Sequence, residues 1–336
     1  MQKLFDSHAY EYSRLCEMKP VLSYRDGESF AAWQSKARET LAQLLGLPLG
    51  ICGTALSEAY TREKEDCTQI RFTVQTEPDY YVPCYLLVPK NRGDKIPLTV
   101  CLSGHGAGMH IALGEAKNEK DERSLAEWPH RAMAKRAIRD GRAALVIEAR
   151  NFGECSLEGY GTSCTEAAKI ALLAGRTVIG ERVWDAMRIL DAVLEKYKML
   201  DTEGIACTGN SGGGTATYYL ACLDERIAIA APSCSVCDFD SSIAAMPHCL
   251  CNHIPSIRKY FEMGDLGGLI APRTLVVAAG KTDAIFPEAG TKRTFENIIR
   301  LYAAAGAPDA CALVFGAGGN YNYADLLWEK IAEMQG

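Results

Sequence analysis

The feature that most constrains this chain is a succession of short, nearly unbroken apolar runs, rich in β-branched and small residues and spaced by stretches with helical periodicity. They are AALVIEA (143–149), GIACTG (204–209), IAIAAPS (227–233), RTLVVAAG (273–280) and ACALVFG (310–316). A strand apolar on both faces must be covered on both faces, so such runs separated by helices predict an α/β fold: a mostly parallel central sheet between helical layers. Earlier in the chain the pattern changes to TQIRFTVQ from residue 68, then YYVPCYLLVP and IPLTVCLSG, each ended by Pro, Gly or Asn. These read as an antiparallel entry into the same sheet.

Two helices are legible from spacing alone. Residues 29–45 set Phe30, Trp33, Ala37, Leu41 and Leu44 three and four apart, an amphipathic stripe that Gly46 and Pro48 stop. Over about 180–198, Trp184, Met187, Leu190, Leu194 and Tyr197 share a side. With 336 residues, 48% of them hydrophobic, the chain is long enough for one full-sized core. The expected division is an N-terminal helical extension over 1–66 and a main domain over 67–336, with no internal repeat or low-complexity linker. Segments 151–179 and 234–270 fit neither pattern and read as insertions. Insertions at the carboxyl ends of strands generally line active sites, so 105–130, 151–179 and 234–265 are expected to set specificity.

The strongest chemical motif is Thr208-Gly209-Asn210-Ser211-Gly212-Gly213-Gly214-Thr215, between the strand GIAC and the helical ATYYLACL. It matches G-x-S-x-G in a strand, turn, helix context, where the turn lifts the serine hydroxyl to the tip of the sheet and small residues at 209 and 213 avoid a clash. The following helix N-terminus favours developing negative charge. The rival reading is a dinucleotide loop through Gly209, Gly212 and Gly214. Such loops open a fold near its first strand and need an acidic residue about 20 positions on, whereas this motif sits mid-chain.

Upstream, Ser103-Gly104-His105-Gly106 follows the apolar PLTVC, where an acyl-transfer enzyme of this topology takes one oxyanion-hole amide, the other coming from Gly212. His105 is either part of that site or a turn residue. Downstream, Asp283 follows the strand RTLVVAAG and suits the orienting acid of a Ser, Asp, His order; a helix cap or a solvated turn is the alternative.

Taken together, SGHG, EARNFGE, GRTVIGERVWDAMRILD, TGNSGGGTATYYLACLDERI, HCLCNHIP, APRTLVVAAGKTDAIFP and GAGGNYNY resemble the acetyl-xylan-esterase-like branch of the α/β-hydrolase superfamily, relatives of the dienelactone hydrolases. The resemblance spans roughly residues 30–335 and implies the α/β-hydrolase fold, ester hydrolysis on small acylated substrates without a cofactor, Ser211 as nucleophile and Asp283 as acid. It also puts the base at position 320, where the family reads approximately G-G-H and this chain has Asn320. The six histidines are 8, 105, 110, 130, 248 and 253, so none follows Asp283. An amide cannot take the serine proton, and losing a triad base lowers the rate on the order of 10⁴ to 10⁶.

Three explanations follow. His253, where relatives commonly carry an aromatic residue, supplies the base from another loop; or the pocket serves binding or lyase- or isomerase-like chemistry; or Asn320 was introduced in the laboratory. That Tyr321 and Asn322 also depart from the family's pattern favours natural divergence.

Cys234-x-x-Cys237, His248-Cys249-x-Cys251 and His253 have the composition of a zinc site. The resembled family carries similar cysteines as packing residues, and no metal is assigned on sequence. Fourteen cysteines and the lack of a basic, apolar leader point to a reducing cytoplasm. A net charge of −6 argues against nucleic acid or an anionic membrane as partner; a small-molecule ester is the partner that the resemblance implies. The N-terminal extension is the surface through which a homo-oligomer would form.

Overall fold

The apolar runs form the strands they predict. The computed structural model describes residues 5–91 and 93–336. The strands are β1 (Leu56–Glu63), β2 (Cys67–Glu77), β3 (Tyr80–Pro89), β4 (Ile96–Leu102), β5 (Ala143–Ile147), β6 (Leu200–Asn210), β7 (Ile227–Ser233), β8 (Thr274–Gly280) and β9 (Cys311–Gly316). They make one sheet in the order β1-β2-β3-β5-β4-β6-β7-β8-β9. The first three pair antiparallel with one another and β3 with β5, and every later pairing is parallel. Burial follows direction: β5 is buried throughout, whereas β1 at the edge has no buried residue. No helix among the described residues is long and apolar enough to cross a membrane.

The boundary at residue 67 is corrected by β1, which lies in the stretch assigned to the helical extension and already belongs to the sheet. Nor is the early helix an appendage. Phe30–Leu45 is capped by the Ser29 hydroxyl, ends at Gly46 with φ of 82°, and buries Trp33, Ala37, Leu41 and Leu45 in the main core. Leu45 takes the fully buried position that the stripe gave to Leu44, which is only partly covered. The helix Val178–Lys196 approaches so closely that a Cβ at Gly180 would strike the Leu45 carbonyl.

The chain runs from β4 to β5 on one side and then crosses to β6 on the other, so the carboxyl ends of β4 and β6 open a crevice at a topological switch point, the place where α/β sheets bind ligands. The loops after both strands meet there. Glu148, just past β5, accepts the amides of Met109 (3.0 Å) and Glu154 (3.1 Å) and so ties the loop after β4 to the segment after β5. Burial pushes its carboxyl up to about 7, against the lowering effect of those two amide bonds. Below it, Arg150 binds Asp185 through two bonds of 2.6 and 2.8 Å and reaches Glu77 at 2.6 Å, while Arg176 meets the same Glu77 at 2.6 Å. Ion pairs this buried hold only when each charge is matched, which fixes the base of the 151–179 insertion.

Candidate active site

Ser211 stands between β6 and the helix Gly212–Leu223 with φ of 53° and ψ of −122°. A non-glycine residue there is strained, and the strain persists only where the surroundings over-determine it. Its amide donates to the Ser233 carbonyl (2.9 Å), and its carbonyl accepts the Thr215 amide (2.8 Å). Space is equally tight on either side: a Cβ at Gly209 would meet the Gly213 carbonyl, and one at Gly213 would meet the Leu102 carbonyl at the end of β4.

The loop after β4 lies against this turn. A Cβ at Gly104 would drive into the Asn210 carbonyl, and the His105 ring packs so near the Gly212 Cα that a Cβ there would sit 2.8 Å from it. Gly104, His105, Gly106, Ser211 and Asn320 line one cleft of about 460 Å³. Gly212 borders the small space behind it.

Asp283 follows β8 and is buried. Its Oδ1 accepts the amides of Ile285 (2.8 Å) and Phe286 (3.1 Å), a turn-capping role, while its Oδ2 accepts the Asn320 Nδ2 at 2.9 Å. The Asn320 Oδ1 in turn accepts Asn210 Nδ2 at 3.4 Å, next to the serine. The two readings of Asp283 therefore coexist: one oxygen closes a turn and the other holds residue 320.

His253 is not brought to this cleft. Its Nδ1 donates to the Cys249 carbonyl at 3.2 Å, within its own short turn. Among the described residues the histidines that border the cleft are His105, whose ring turns its Nε2 to Cys251 and Cys164, and His130, which stands 3.7 Å from Asp325. The insertions also fall differently from expectation. The cleft lining includes Trp128, Arg131 and Tyr321, whereas 151–179 and 234–265 pack on one another through Phe152, Cys164, Ala168 and Cys251. They are spent on a satellite core behind His105.

Trp128 and Tyr321 stack with centroids 4.1 Å apart at 20°. Arg131 binds the Ser124 hydroxyl at 2.5 Å, and burial lowers its pKa. Neither Trp128 nor Arg131 carries a local pattern; the signal available was only that 105–130 follows a strand end at the switch point.

The cysteine cluster read from sequence is rearranged as well. Cys234 turns to the Gly319 and Tyr321 carbonyls and Cys237 to that of Pro287, while His248 packs on Phe286. Cys249 and Cys251 instead meet Cys164 and His105, and these four ligand-capable atoms lie within 4.8 Å of one another.

A model of the Abhydrolase family matches residues 6–317. A Bacillus subtilis (strain 168) protein named "Putative hydrolase YtaP" is 25% identical over 256 residues, which cover 75% of this chain and 82% of that protein. Among solved structures, a "putative acetyl xylan esterase" of Bacteroides fragilis has a TM-score of 0.78 at 19% identity, over 97% of this chain and 84% of its own. A glucuronoyl esterase of Solibacter usitatus has a TM-score of 0.70 at 17% identity, over 95% of this chain and 97% of its own. At these identities the likeness to solved structures is one of fold.

Proposed function

The chain belongs to the Abhydrolase family, and from that premise we propose that it is a carboxylesterase-type hydrolase of small acylated, carbohydrate-like substrates with Ser211 as its nucleophile. The observation that carries this reading is the backbone of Ser211, held at positive φ on a turn with no room for a Cβ at Gly209 or Gly213 and a cleft in front of it. Such strain is retained where a hydroxyl has to be presented.

In this mechanism the Ser211 Oγ attacks the acyl carbon, and the oxyanion is received by the Gly212 amide at the helix N-terminus and by the turn of Gly104, His105 and Gly106. The alcohol leaves, and water hydrolyses the acyl-enzyme. Asp283 orients Asn320 through the 2.9 Å bond, but an amide takes no proton, so the serine proton passes to solvent or to the substrate's own groups. The expected enzyme is slow for its fold. The carbohydrate-like class rests on the names of the structural relatives and on the Trp128–Tyr321 wall, a flat apolar surface suited to a ring's C–H face.

Incubation with a fluorophosphonate probe and with p-nitrophenyl acetate tests the reading. Labelling at Ser211 and measurable turnover, both lost in Ser211→Ala, are the expected result; an unlabelled wild-type protein would overturn it. Asn320 itself favours a second reading, in which the cleft binds a small molecule or carries non-hydrolytic chemistry. Silence in both assays together with retained ligand binding is the outcome that reading predicts.

A further inference from the structure

The four residues behind the cleft come from three distant parts of the chain: His105 from the loop after β4, Cys164 from the first insertion, and Cys249 and Cys251 from the second. The His105 Nε2 lies 3.3 Å from the Cys251 Sγ and 3.7 Å from the Cys164 Sγ, and the sulfurs of Cys249 and Cys251 are 3.2 Å apart. A tetrahedral zinc ion with Zn–S near 2.3 Å and Zn–N near 2.0 Å requires its sulfurs about 3.8 Å apart and each sulfur about 3.5 Å from the nitrogen. The two nitrogen–sulfur spacings, 3.3 and 3.7 Å, bracket the required value, while the 3.2 Å between the sulfurs of Cys249 and Cys251 is shorter than a bound ion would set, and all four atoms lie within 4.8 Å of one another. The spacings are far longer than a disulfide's, about 2.05 Å, and too short for a polynuclear cluster, whose separated irons would spread the cysteines wider.

A second observation comes from charge. Arg182 is buried, donates to the Arg150 carbonyl (3.1 and 3.0 Å) and to the Cys164 Sγ (3.3 Å), and stacks over Phe152 at 4.1 Å. Among the described residues no carboxylate lies within ion-pair distance of it. A buried guanidinium needs an anionic neighbour. Three thiolates around a divalent ion carry one net negative charge, which Arg182 neutralises, and a donor to a ligand sulfur is the usual outer-shell partner of such a site.

We infer that His105, Cys164, Cys249 and Cys251 bind one structural zinc ion that fastens both insertions to the loop carrying the Gly104–Gly106 turn. With four protein ligands the site is closed, so the ion takes no substrate and its role is to hold shape. The His105 ring, clamped by the ion on one side, presses on Gly212 on the other. This inference rests on the cluster's geometry and is independent of whether the cleft hydrolyses esters.

Metal analysis by inductively coupled plasma mass spectrometry, on untagged protein purified under reducing conditions, is the test. Roughly one zinc per chain is expected, lost in Cys251→Ser and retained in Cys311→Ser, a cysteine of β9 outside the cluster. Should Cys251→Ser fail to fold, cobalt(II) exchange into the wild-type protein decides: intense visible ligand-field bands with near-ultraviolet thiolate-to-cobalt charge transfer are expected of a tetrahedral sulfur-rich site. Protein that carries little zinc and takes up none from zinc chloride overturns the inference. So does iron in place of zinc, or a cobalt spectrum without thiolate bands.

Discussion

At position 320 an amide, smaller than an imidazole, can make the same hydrogen bond to Asp283 but lacks the ring's proton affinity. Asn320 donates to Asp283 as a histidine would through Nδ1–H, but its own amide cannot accept a serine proton. Asn320→His is expected to raise kcat/KM on p-nitrophenyl acetate by about 10³-fold or more, since a triad base contributes on the order of 10⁴ to 10⁶. The gained activity should fall away as pH drops through about 6.5, where an imidazole protonates, and it should be largely lost in an Asp283→Asn background. A variant with unchanged kcat/KM and a flat pH profile would remove Asn320 as the limiting element. The residue-scale lesson concerns position as much as identity. The structure puts Ser211 and Asn320 on one cleft, with Asp283 bonded to Asn320, because each follows a strand end that fixes where its side chain emerges. His253 does not join them because a turn of a few residues, Leu250–Asn252, sends its ring back to the Cys249 carbonyl.

Among the elements, the turn joining β6 to its helix is the most tightly specified. Gly213→Ala would press a methyl group into the backbone of Leu102 and Ser103, which cannot yield without displacing the loop after β4. The expected loss is on the order of 3 kcal/mol of unfolding free energy, as for other forced clashes with a packed backbone, accompanied by loss of fluorophosphonate labelling. Urea titration and gel-based labelling of the same preparation check both, and a variant as stable and as reactive as wild type would contradict the geometry. Strands and helices were readable in advance because their periodicity is set by neighbours one to four residues away: IAIAAPS became β7 at the same bounds. The insertions were not. Their side chains find partners across the chain, as Cys164 finds Cys249, Cys251 and His105, and no local period encodes such a meeting.

For the molecule as a whole, the order of strands decides what can be buried where, and sequence reads that order only in part. The parallel half was legible from unbroken apolar runs. That β3 pairs with β5 and leaves β4 inside was not, because pairing is set by where loops and helices cross. One consequence of that order is Glu148, carried to the end of a fully buried strand and kept there by the amides of Met109 and Glu154. Burial lifts its folded-state pKa to about 7 from 4.5. A folded pKa above the unfolded one means that the native protein holds its proton more tightly, so this group's contribution to stability is complete below about 4.5 and is lost as pH rises through about 7. Glu148→Gln cannot titrate and keeps one of the two acceptors, so its absolute stability shifts by an offset that is the same at every pH. The informative quantity is the difference between wild type and variant. Wild-type unfolding free energy should fall relative to that of Glu148→Gln by about 2 kcal/mol between about pH 5 and about pH 8. Other buried carboxylates whose pKa is raised, Asp185 among them, are common to both proteins and cancel in the difference. Denaturant titrations at several pH values supply the comparison; parallel curves for the two proteins would mean that Glu148 is already solvated or already ionised in the native state.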